Sequence, residues 1–411
     1  MAAELFEVGV MFVALAIVGA VATRLRQSVI PFYIVVGMLS GGFVAGRLTE
    51  TYLGTELAVG LSAGADHFIE LGAELGIVFL LFFLGLEFNL ERLFANRDRI
   101  GTAGTIDLVV NFGVGLVLGF ALFRDPLAAF VVAGMVYISS SAIITKSLID
   151  LGWIANEESS PMLGILVYED LFIAVYLAVL SALVVGGGDL GTAVLSVGTA
   201  VGFILLLLAV VYLGTGFFSR LIDTNSHEFV VLRVTGVTVL IAGIALAVGV
   251  SEAVAAFFVG MAFSSTGEAE LLEELLEPVR DIFAGVFFFW IGLVTDPTLL
   301  AGVVGLVAVA VVITTPTKLV SGFWGGKVYD LSDRRATRVG LGMVTRGEFT
   351  LIIASLLIVT APGGGTLPAA VATELNAFAV GYVLVMSILG TMLMQYSTVV
   401  EDRVVAWRGG E

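Results

Sequence analysis

Apolar stretches of about 20 residues recur along nearly all of this 411-residue chain, and they limit its fold more than any other feature. A helix needs about 20 apolar residues to cross the hydrocarbon core of a bilayer. Only 13% of the residues are charged and 59% are hydrophobic, whereas soluble proteins are about a quarter charged. The sequence therefore predicts an all-α polytopic membrane protein, with residues 1–411 forming one membrane domain and the lipid bilayer as its surroundings.

The apolar stretches divide into about 13 predicted transmembrane helices. They cover residues 5–23, 29–46, 70–90, 100–123, 126–149, 160–185, 190–219, 226–248, 250–266, 278–294, 298–322, 336–361 and 373–400. The first stretch begins with Glu4 and Glu7 and has no basic leader, so we interpret it as a true span and not as a cleaved signal. Twelve basic residues fall in loops on one side, and only Arg47 and Arg124 fall on the other. This asymmetry predicts a cell-membrane protein with its N-terminus outside and its C-terminus in the cytoplasm.

The composition also excludes several kinds of chemistry. The chain has no cysteine, which excludes thiol chemistry, and its two histidines, His67 and His227, are too few for a histidine metal site. We expect no cofactor, no enzymatic activity and no nucleic-acid partner. The net charge of −16, with only three lysines, indicates aqueous faces adapted to high salt, where screening makes a large negative charge tolerable.

Two adjacent acids, Glu169 and Asp170, lie in the middle of the apolar stretch "MLGILVYEDLFIAVYLAVL" (162–180). Burying two neighbouring carboxylates is costly, so they must pair with other groups or line a wet cavity. Consecutive helical residues point about 100° apart, so one acid is expected to face a transport cavity and the other a partner. A carboxylate that holds either a proton or a monovalent cation is sufficient for exchange, and either of the two acids could be that group. The alternative is a structural ion pair within the helix bundle.

A buried lysine, Lys318, lies in the stretch "VVITTPTKLVSGFW" (311–324). A buried ammonium needs a carboxylate, and we expect Lys318 to pair with Asp170 when no cation is bound and so to balance the charge. The alternative is a lysine that extends to the aqueous face of the membrane. Three further acids within or beside spans are secondary candidates: Asp107, Glu252 and Asp281.

Polar residues interrupt two other spans, in "YISSSAIITKS" (137–147) and "GMVTRGEFTLII" (342–353). The candidate residues are Ser139, Ser140, Ser141 and Lys146 in the first segment, and Arg346 and Glu348 in the second. Unwound helices within a membrane present carbonyls and helix ends that bind ions, and hydroxyl oxygens suit hard cations. The alternative for the serines is close helix packing by small residues.

Several segments resemble those of the monovalent cation:proton antiporter-2 family of sodium/proton and potassium/proton exchangers. They are "LLFFLGLEFNLERL" (80–93), "SSSAIITKSL" (139–148), "GILVYEDLFIAV" (164–175), "AVAAFFVGMAFS" (253–264), "FFFWIGLVTDP" (287–297) and "TRGEFTLI" (345–352). The specific ones are the serine-rich segment, the Glu-Asp pair and Arg-Gly-Glu-Phe, and the segments occur in the family's order over nearly the whole chain.

The resemblance implies a sodium/proton-antiporter-like fold with two inverted five-helix repeats and two broken, crossing helices. It also implies a homodimer whose dimerisation scaffold comprises residues 1–92 and 226–294. Residues 190–219 would form the linker helix, and residues 100–185 and 298–400 the moving, ion-binding core.

The resemblance further assigns roles to individual residues. Asp170 matches the principal ion- and proton-binding aspartate, which implies a Na⁺ or K⁺ site there, and Lys318 matches a core lysine that pairs with it. Arg346 with Glu348 match the second crossing helix, and we expect Lys146, Arg346 and Glu348 to take part in a core ion pair on the crossing helices. Glu169 departs from the better-known branches of the family, which have Asp, Asn or Gln there; this favours proton-rich, electrogenic exchange and leaves the ion open. The sequence has no nucleotide-binding glycine fingerprint after a strand, so regulation is expected from a separate cytoplasmic subunit.

The predicted function is secondary active exchange of Na⁺ or K⁺ for protons by alternating access. One alternative is a passive cation channel, which needs weak coordination along a continuous pore. The other is an intramembrane aspartyl protease, suggested by "GGGD" (186–189) and "YD" (329–330). In that family the two motifs occur in the opposite order, and the predicted topology puts the two aspartates on opposite membrane faces.

Overall fold

The computed structural model describes residues 2–41, 63–87, 97–185, 215–224, 226–247, 252–360 and 367–408, together with residues 198, 202, 206 and 209. These ranges contain sixteen α-helices. They are α1 (Ala2–Arg24), α2 (Ile30–Ser40), α3 (Ala63–Glu87), α4 (Arg97–Phe123), α5 (Pro126–Tyr137), α6 (Ser141–Asp150), α7 (Ser159–Val185) and α8 (Thr215–Ile222). The others are α9 (His227–Ala247), α10 (Glu252–Ser264), α11 (Ala269–Leu293), α12 (Pro297–Val328), α13 (Asp333–Gly342), α14 (Glu348–Thr360), α15 (Ala369–Gln395) and α16 (Ser397–Arg408).

Eight segments of the described chain are long and apolar enough to cross a membrane, and three shorter apolar helices accompany them. The prediction of an all-α polytopic membrane protein is thereby confirmed. The exact number of 13 spans stays a prediction. Most of the predicted linker helix, residues 190–219, lies outside the described residues.

Two of the predicted spans are interrupted, as the sequence indicated. The first consists of α5 and α6, separated by residues 138–140, and the second of α13 and α14, separated by residues 343–347. Ser140 defines where α6 begins, because its Oγ accepts a hydrogen bond from the N–H of Ile143 at 3.3 Å. This is the geometry of a serine N-cap, which satisfies an amide that the helix leaves without an internal partner.

Helices α2 and α11, and likewise α3 and α10, approach each other so closely that only glycine fits at the contact. A Cβ added to any of four glycines would lie 2.0 Å from a carbonyl oxygen of the facing helix. These glycines are Gly37 and Gly292 in the first pair, and Gly85 and Gly260 in the second. In both pairs the carbonyl belongs to the residue three positions before the partner glycine. The α2–α11 and α3–α10 contacts therefore share the same local geometry.

Among the described residues, the fully or nearly fully buried charged side chains lie in a second group of packed helices. Helix α4 packs along α5 and α12, and α12 also packs against α13 and α15. Helix α7 contacts α4, α12 and α14, so its middle faces both interrupted spans. The division into a scaffold, a linker and a moving core remains a prediction.

One end of this second group is held by ion pairs. Arg338 on α13 donates to Glu158 Oε1 at 2.7 Å and to Glu401 Oε1 at 2.8 Å, and both carboxylates are fully buried. Arg99 at the start of α4 pairs with Asp330, just after α12, at 2.9 Å. The Arg338 contacts join the connection between α6 and α7 to α13 and to the C-terminal helix α16.

Candidate functional site

The two helix breaks meet and are hydrogen-bonded to each other. The N–H of Ser140 donates to the carbonyl of Thr345 at 3.2 Å, and Ser139 Oγ donates to the carbonyl of Met343 at 3.2 Å. Each break therefore satisfies backbone groups that the other leaves without a helical partner. Such groups must find partners when they are buried, because an unpaired one is costly.

Arg346 is the main connection between the breaks. Its side chain is fully buried, and its Nε and Nη2 donate to the carbonyl of Val136, at the end of α5, at 3.0 and 2.8 Å. Its Nη1 donates to the carbonyls of Met343, Val344 and Thr345 at 3.0, 2.9 and 2.9 Å. The guanidinium thus satisfies four carbonyls, three of them in its own unwound segment.

Glu348 contacts the other break, and its partners there are not the cations of the expected core ion pair. Ser140 Oγ donates to Glu348 Oε2 at 2.5 Å, and the N–H of Ala142 donates to Oε1 at 3.3 Å. The carboxylate therefore lies at the N-terminal end of α6, where free amides and the helix dipole favour a negative charge. Lys146, also expected in a core ion pair, is exposed and forms no ion pair with any residue that the structure describes.

Lys318 lies between two carboxylates, Glu169 and Asp107. Its Nζ is 2.5 Å from Glu169 Oε1 and 2.5 Å from Asp107 Oδ2, and all three side chains are fully buried. The expected pairing with Asp170 is therefore corrected, because the acids that contact the ammonium are Glu169 on α7 and Asp107 on α4. The reason is the 100° turn between Glu169 and Asp170, which directs the two acids to different neighbours.

Glu169 also reaches the first helix break. Its Oε2 accepts the N–H of Ser139 at 2.7 Å, and its Oε1 accepts Ser139 Oγ at 3.0 Å. The next acid, Asp170, is 6% exposed and accepts a hydrogen bond from Ser141 Oγ at 3.4 Å. Each of the two adjacent acids therefore accepts a hydrogen bond from a serine hydroxyl at the first helix break. The structure thus places the Glu169–Asp170 pair beside the serine-rich segment.

Asp107, a secondary candidate from sequence, belongs to the centre of the site. Its Oδ1 accepts Asn111 Nδ2 at 2.9 Å and Ser321 Oγ at 2.7 Å. The ammonium of Lys318 also lies 5.1 Å from the centre of the Tyr137 ring, a cation–π distance. Asn111, Ser321 and Tyr137 were not predicted. A polar residue four positions after an aspartate in an apolar helix was the signal for Asn111.

The other two secondary candidates lie on α10 and α11, away from Lys318. Asp281 is exposed and pairs with its neighbour Arg280 on α11 at 2.7 Å. Glu252 is the first residue of α10, which packs mainly against α3 and α9. Of the two aspartates in the protease alternative, Asp330 pairs with Arg99 at the surface and Asp189 lies outside the described residues.

Two interrupted helices that meet at buried carboxylates and a buried lysine define an ion transporter that works by alternating access. The sequence model of a family described as "Sodium/hydrogen exchanger, transmembrane" matches residues 10–396, and the chain belongs to this family. The protein is therefore a multi-pass membrane antiporter and not an enzyme, and its ions are cargo.

Individual relatives agree with this assignment. The chain is 36% identical over 395 residues to the K(+)/H(+) antiporter subunit KhtU of Bacillus subtilis, covering 95% of this chain and 93% of the relative. It is 28% identical over 408 residues to the Ammonium/H(+) antiporter subunit AmhT of Alkalihalophilus pseudofirmus, covering 97% and 95%. The solved structure of the sodium proton antiporter MjNhaP1 from Methanocaldococcus jannaschii matches with a TM-score of 0.72 at 13% identity, covering 94% and 99%. The resemblance found in the sequence is thus confirmed.

Proposed function

We propose that the protein exchanges a monovalent cation for protons at Asp170 and Glu169. The observation that carries this proposal is the pair of adjacent buried carboxylates, one bound to Lys318 and the other facing Ser141 at the first break. Carboxylate and hydroxyl oxygens can hold a proton or a hard cation but not both at the same position. Mutual exclusion at one position couples the two ions when the site opens alternately to each side.

Each residue has a distinct role in this proposal. Asp170, with Ser141 and nearby oxygens of the break, binds the cation or a proton. Glu169 joins the site through Ser139 and binds Lys318 when the cation is absent. Arg346 and Glu348 keep the two unwound segments in place, so that the carbonyls and helix ends retain their geometry as the core moves.

Potassium is the cation that we propose first, because KhtU is named a potassium/proton antiporter subunit and shares 36% of its residues with this chain. Ammonium is the second candidate, because AmhT is named an ammonium/proton antiporter subunit and is similar over nearly the same length. Sodium is the third, from the family's description. All three are monovalent cations that oxygen ligands can hold.

We also propose the orientation and the partners that the sequence suggested. The pairing of Arg99 and Arg338 with acids at one end of the core supports a cytoplasmic location for that end, with the N-terminus outside. The protein would lie in the cell membrane as a homodimer, with residues 1–92 and 226–294 at the interface. The word "subunit" in both relatives' names supports a separate regulatory subunit.

Exchange is tested with purified protein in proteoliposomes that carry an internal pH dye. An imposed pH gradient should drive uptake of K⁺, and the assay is repeated with NH₄⁺, Na⁺ and Li⁺, with and without a membrane potential. Asp170→Asn should abolish exchange, whereas Asp98→Asn, at an exposed carboxylate on α4, should not change it. Retained cation-driven proton movement in Asp170→Asn refutes the proposed site.

A further inference from the structure

Lys318 has two carboxylate partners where one would neutralise it. Glu169 contacts its ammonium from α7, and Asp107 contacts it from α4, each at 2.5 Å. Glu169 belongs to the exchange site, where it must be released when a cation or a proton binds. Asp107 is separated from that site by the lysine itself.

Asp107 is also held in place more firmly than an exchanging carboxylate needs to be. Asn111 Nδ2 and Ser321 Oγ both donate to its Oδ1, while its Oδ2 accepts Lys318. Ser321 lies on the same helix as Lys318, three residues later, and its Oγ is also 3.1 Å from the lysine carbonyl. The carboxylate is thus fixed to both helices that carry the pair, α4 and α12.

The arrival of a cation creates an electrostatic difficulty at this site. A positive ion at Asp170 and Glu169 comes close to the ammonium of Lys318, which is fully buried and cannot be screened by water. A lysine whose only partner were Glu169 would have to lose its proton or remain as an unpaired buried charge. Breaking a buried pair in that way is strongly unfavourable.

On the basis of this geometry we propose that Asp107 is a positioning residue that keeps Lys318 charged and in place while Glu169 turns to the cation. The inference rests on the proposed exchange at Asp170 and Glu169. Its consequence is a defined proton balance: the protons displaced by the cation come from the carboxylates, and Lys318 keeps its own through the cycle. The alternative is that Lys318 releases a proton each time a cation binds.

The ionisable groups around Lys318 in the described chain come from four helices. They are Asp107 from α4, Tyr137 from α5, Glu169 with the adjacent Asp170 from α7, and Tyr382 from α15, which hydrogen-bonds Thr314 one turn before the lysine. Asp107 is the one carboxylate in this set that lies outside the exchange pair. Removing its charge therefore leaves the lysine dependent on Glu169.

The test is the variant Asp107→Asn, assayed for K⁺/H⁺ exchange in proteoliposomes at several pH values. With Asn there, cation binding must also displace the Lys318 proton. The apparent KM for K⁺ should then rise at least about tenfold. In a plot of log KM against pH, the negative slope should become steeper by up to one unit, because up to one additional proton is displaced for each cation that binds. The number of protons exchanged per cation should also be higher in the variant than in the wild type. This ratio is measured from the membrane potential at which net exchange stops.

The controls separate this role from a structural one. Asp107→Glu restores the carboxylate and should recover the wild-type pH dependence of KM, whereas Asp98→Asn on the same helix should leave all three quantities unchanged. If Asp107→Asn does not fold, Ser321→Ala removes one hydrogen bond from the Asp107 carboxylate and should shift KM in the same direction by a smaller amount.

Two outcomes overturn the inference. One is an unchanged KM and pH slope in Asp107→Asn, whether or not the maximal rate falls, and the other is an unchanged KM in Ser321→Ala when that variant is the test. Failure of the proposed function itself looks different, because the wild-type protein would then show no proton-coupled exchange at all.

Discussion

Replacing Arg346 by lysine tests how the two helix breaks are held together. The guanidinium donates five hydrogen bonds to four buried carbonyls, at 2.8 to 3.0 Å. A lysine keeps the charge but has three N–H groups on one atom, so at least one carbonyl loses its partner. An unsatisfied buried group costs about 1–3 kcal/mol, against a total stability of about 5–15 kcal/mol. We expect Arg346→Lys to destabilise the protein by at least that amount and to reduce exchange.

The measurement is thermal unfolding of the purified protein in detergent, together with exchange in proteoliposomes. The matched control is Arg99→Lys, because Arg99 is half-exposed and donates to Asp330 at the surface. Exposed ion pairs contribute about 0–1 kcal/mol, so this control should unfold close to the wild-type temperature. Equal unfolding temperatures for Arg346→Lys and the wild type would show that the guanidinium fork is not what joins the breaks.

Three further predictions concern packing, the ion pairs at the end of the core, and salt. Gly85→Ala places a methyl group 2.0 Å from a carbonyl oxygen of α10, and overpacking should lower the stability by about 1–3 kcal/mol or more, measured as thermal unfolding in detergent. Arg338→Ala leaves Glu158 and Glu401 buried without their main partner, which should cost about 3–5 kcal/mol in the same assay. With a net charge of −16, the unfolding temperature should rise from about 0.1 M to about 1 M KCl, as the screening length falls from about 10 Å to about 3 Å.

Each of these predictions has a control or a contrary result. Gly101→Ala introduces a Cβ with nothing within 4 Å and should be neutral or stabilising, so equal losses at Gly85 and Gly101 would contradict the packing argument. Arg97→Ala removes an exposed arginine and should have little effect, and an Arg338→Ala variant as stable as Arg97→Ala would contradict the role of Arg338 as the main partner of the two buried carboxylates. Unfolding temperatures that do not change with salt would rule out the high-salt interpretation.

The helix breaks could be predicted from sequence because polar residues of these kinds rarely follow one another within an apolar helix. Three successive serines and an Arg-Gly-Glu sequence cannot continue a membrane helix without many unsatisfied polar groups, so an unwound segment was the natural interpretation. The acids of α7 were predictable for the same reason. Local composition is sufficient to predict a feature that depends on the residues of one helix alone.

The partner of Lys318 could not be predicted in this way. It depends on the rotation of α4, α7 and α12 about their axes, and a shift of one residue exchanges Glu169 for Asp170. The charge of Asp107 was visible in the sequence, but its position opposite the lysine depends on packing between helices whose contacting residues are 211 positions apart. The roles of Asn111 and Ser321 follow from that packing and not from their own helices.

The core ion pair expected among Lys146, Arg346 and Glu348 is not what the structure shows, for a different reason. The segment that precedes Glu348 is unwound and leaves its carbonyls without helical partners. An arginine with five donors stabilises those carbonyls better than it would stabilise one carboxylate. Glu348 is then available to the amide and hydroxyl at the start of α6.

The arrangement separates the two requirements of an antiporter, a site that can change its occupant and a frame that cannot. Arg346 and Glu348 bind groups of the breaks themselves, which is what a frame requires under the proposed exchange. Asp107, Glu169, Asp170 and Lys318 are three acids and one base, and this formal negative excess would attract a proton or a cation. Because the carboxylate of Glu169 is bound to Lys318, the proposed exchange at Glu169 would affect proton balance as well as cation binding.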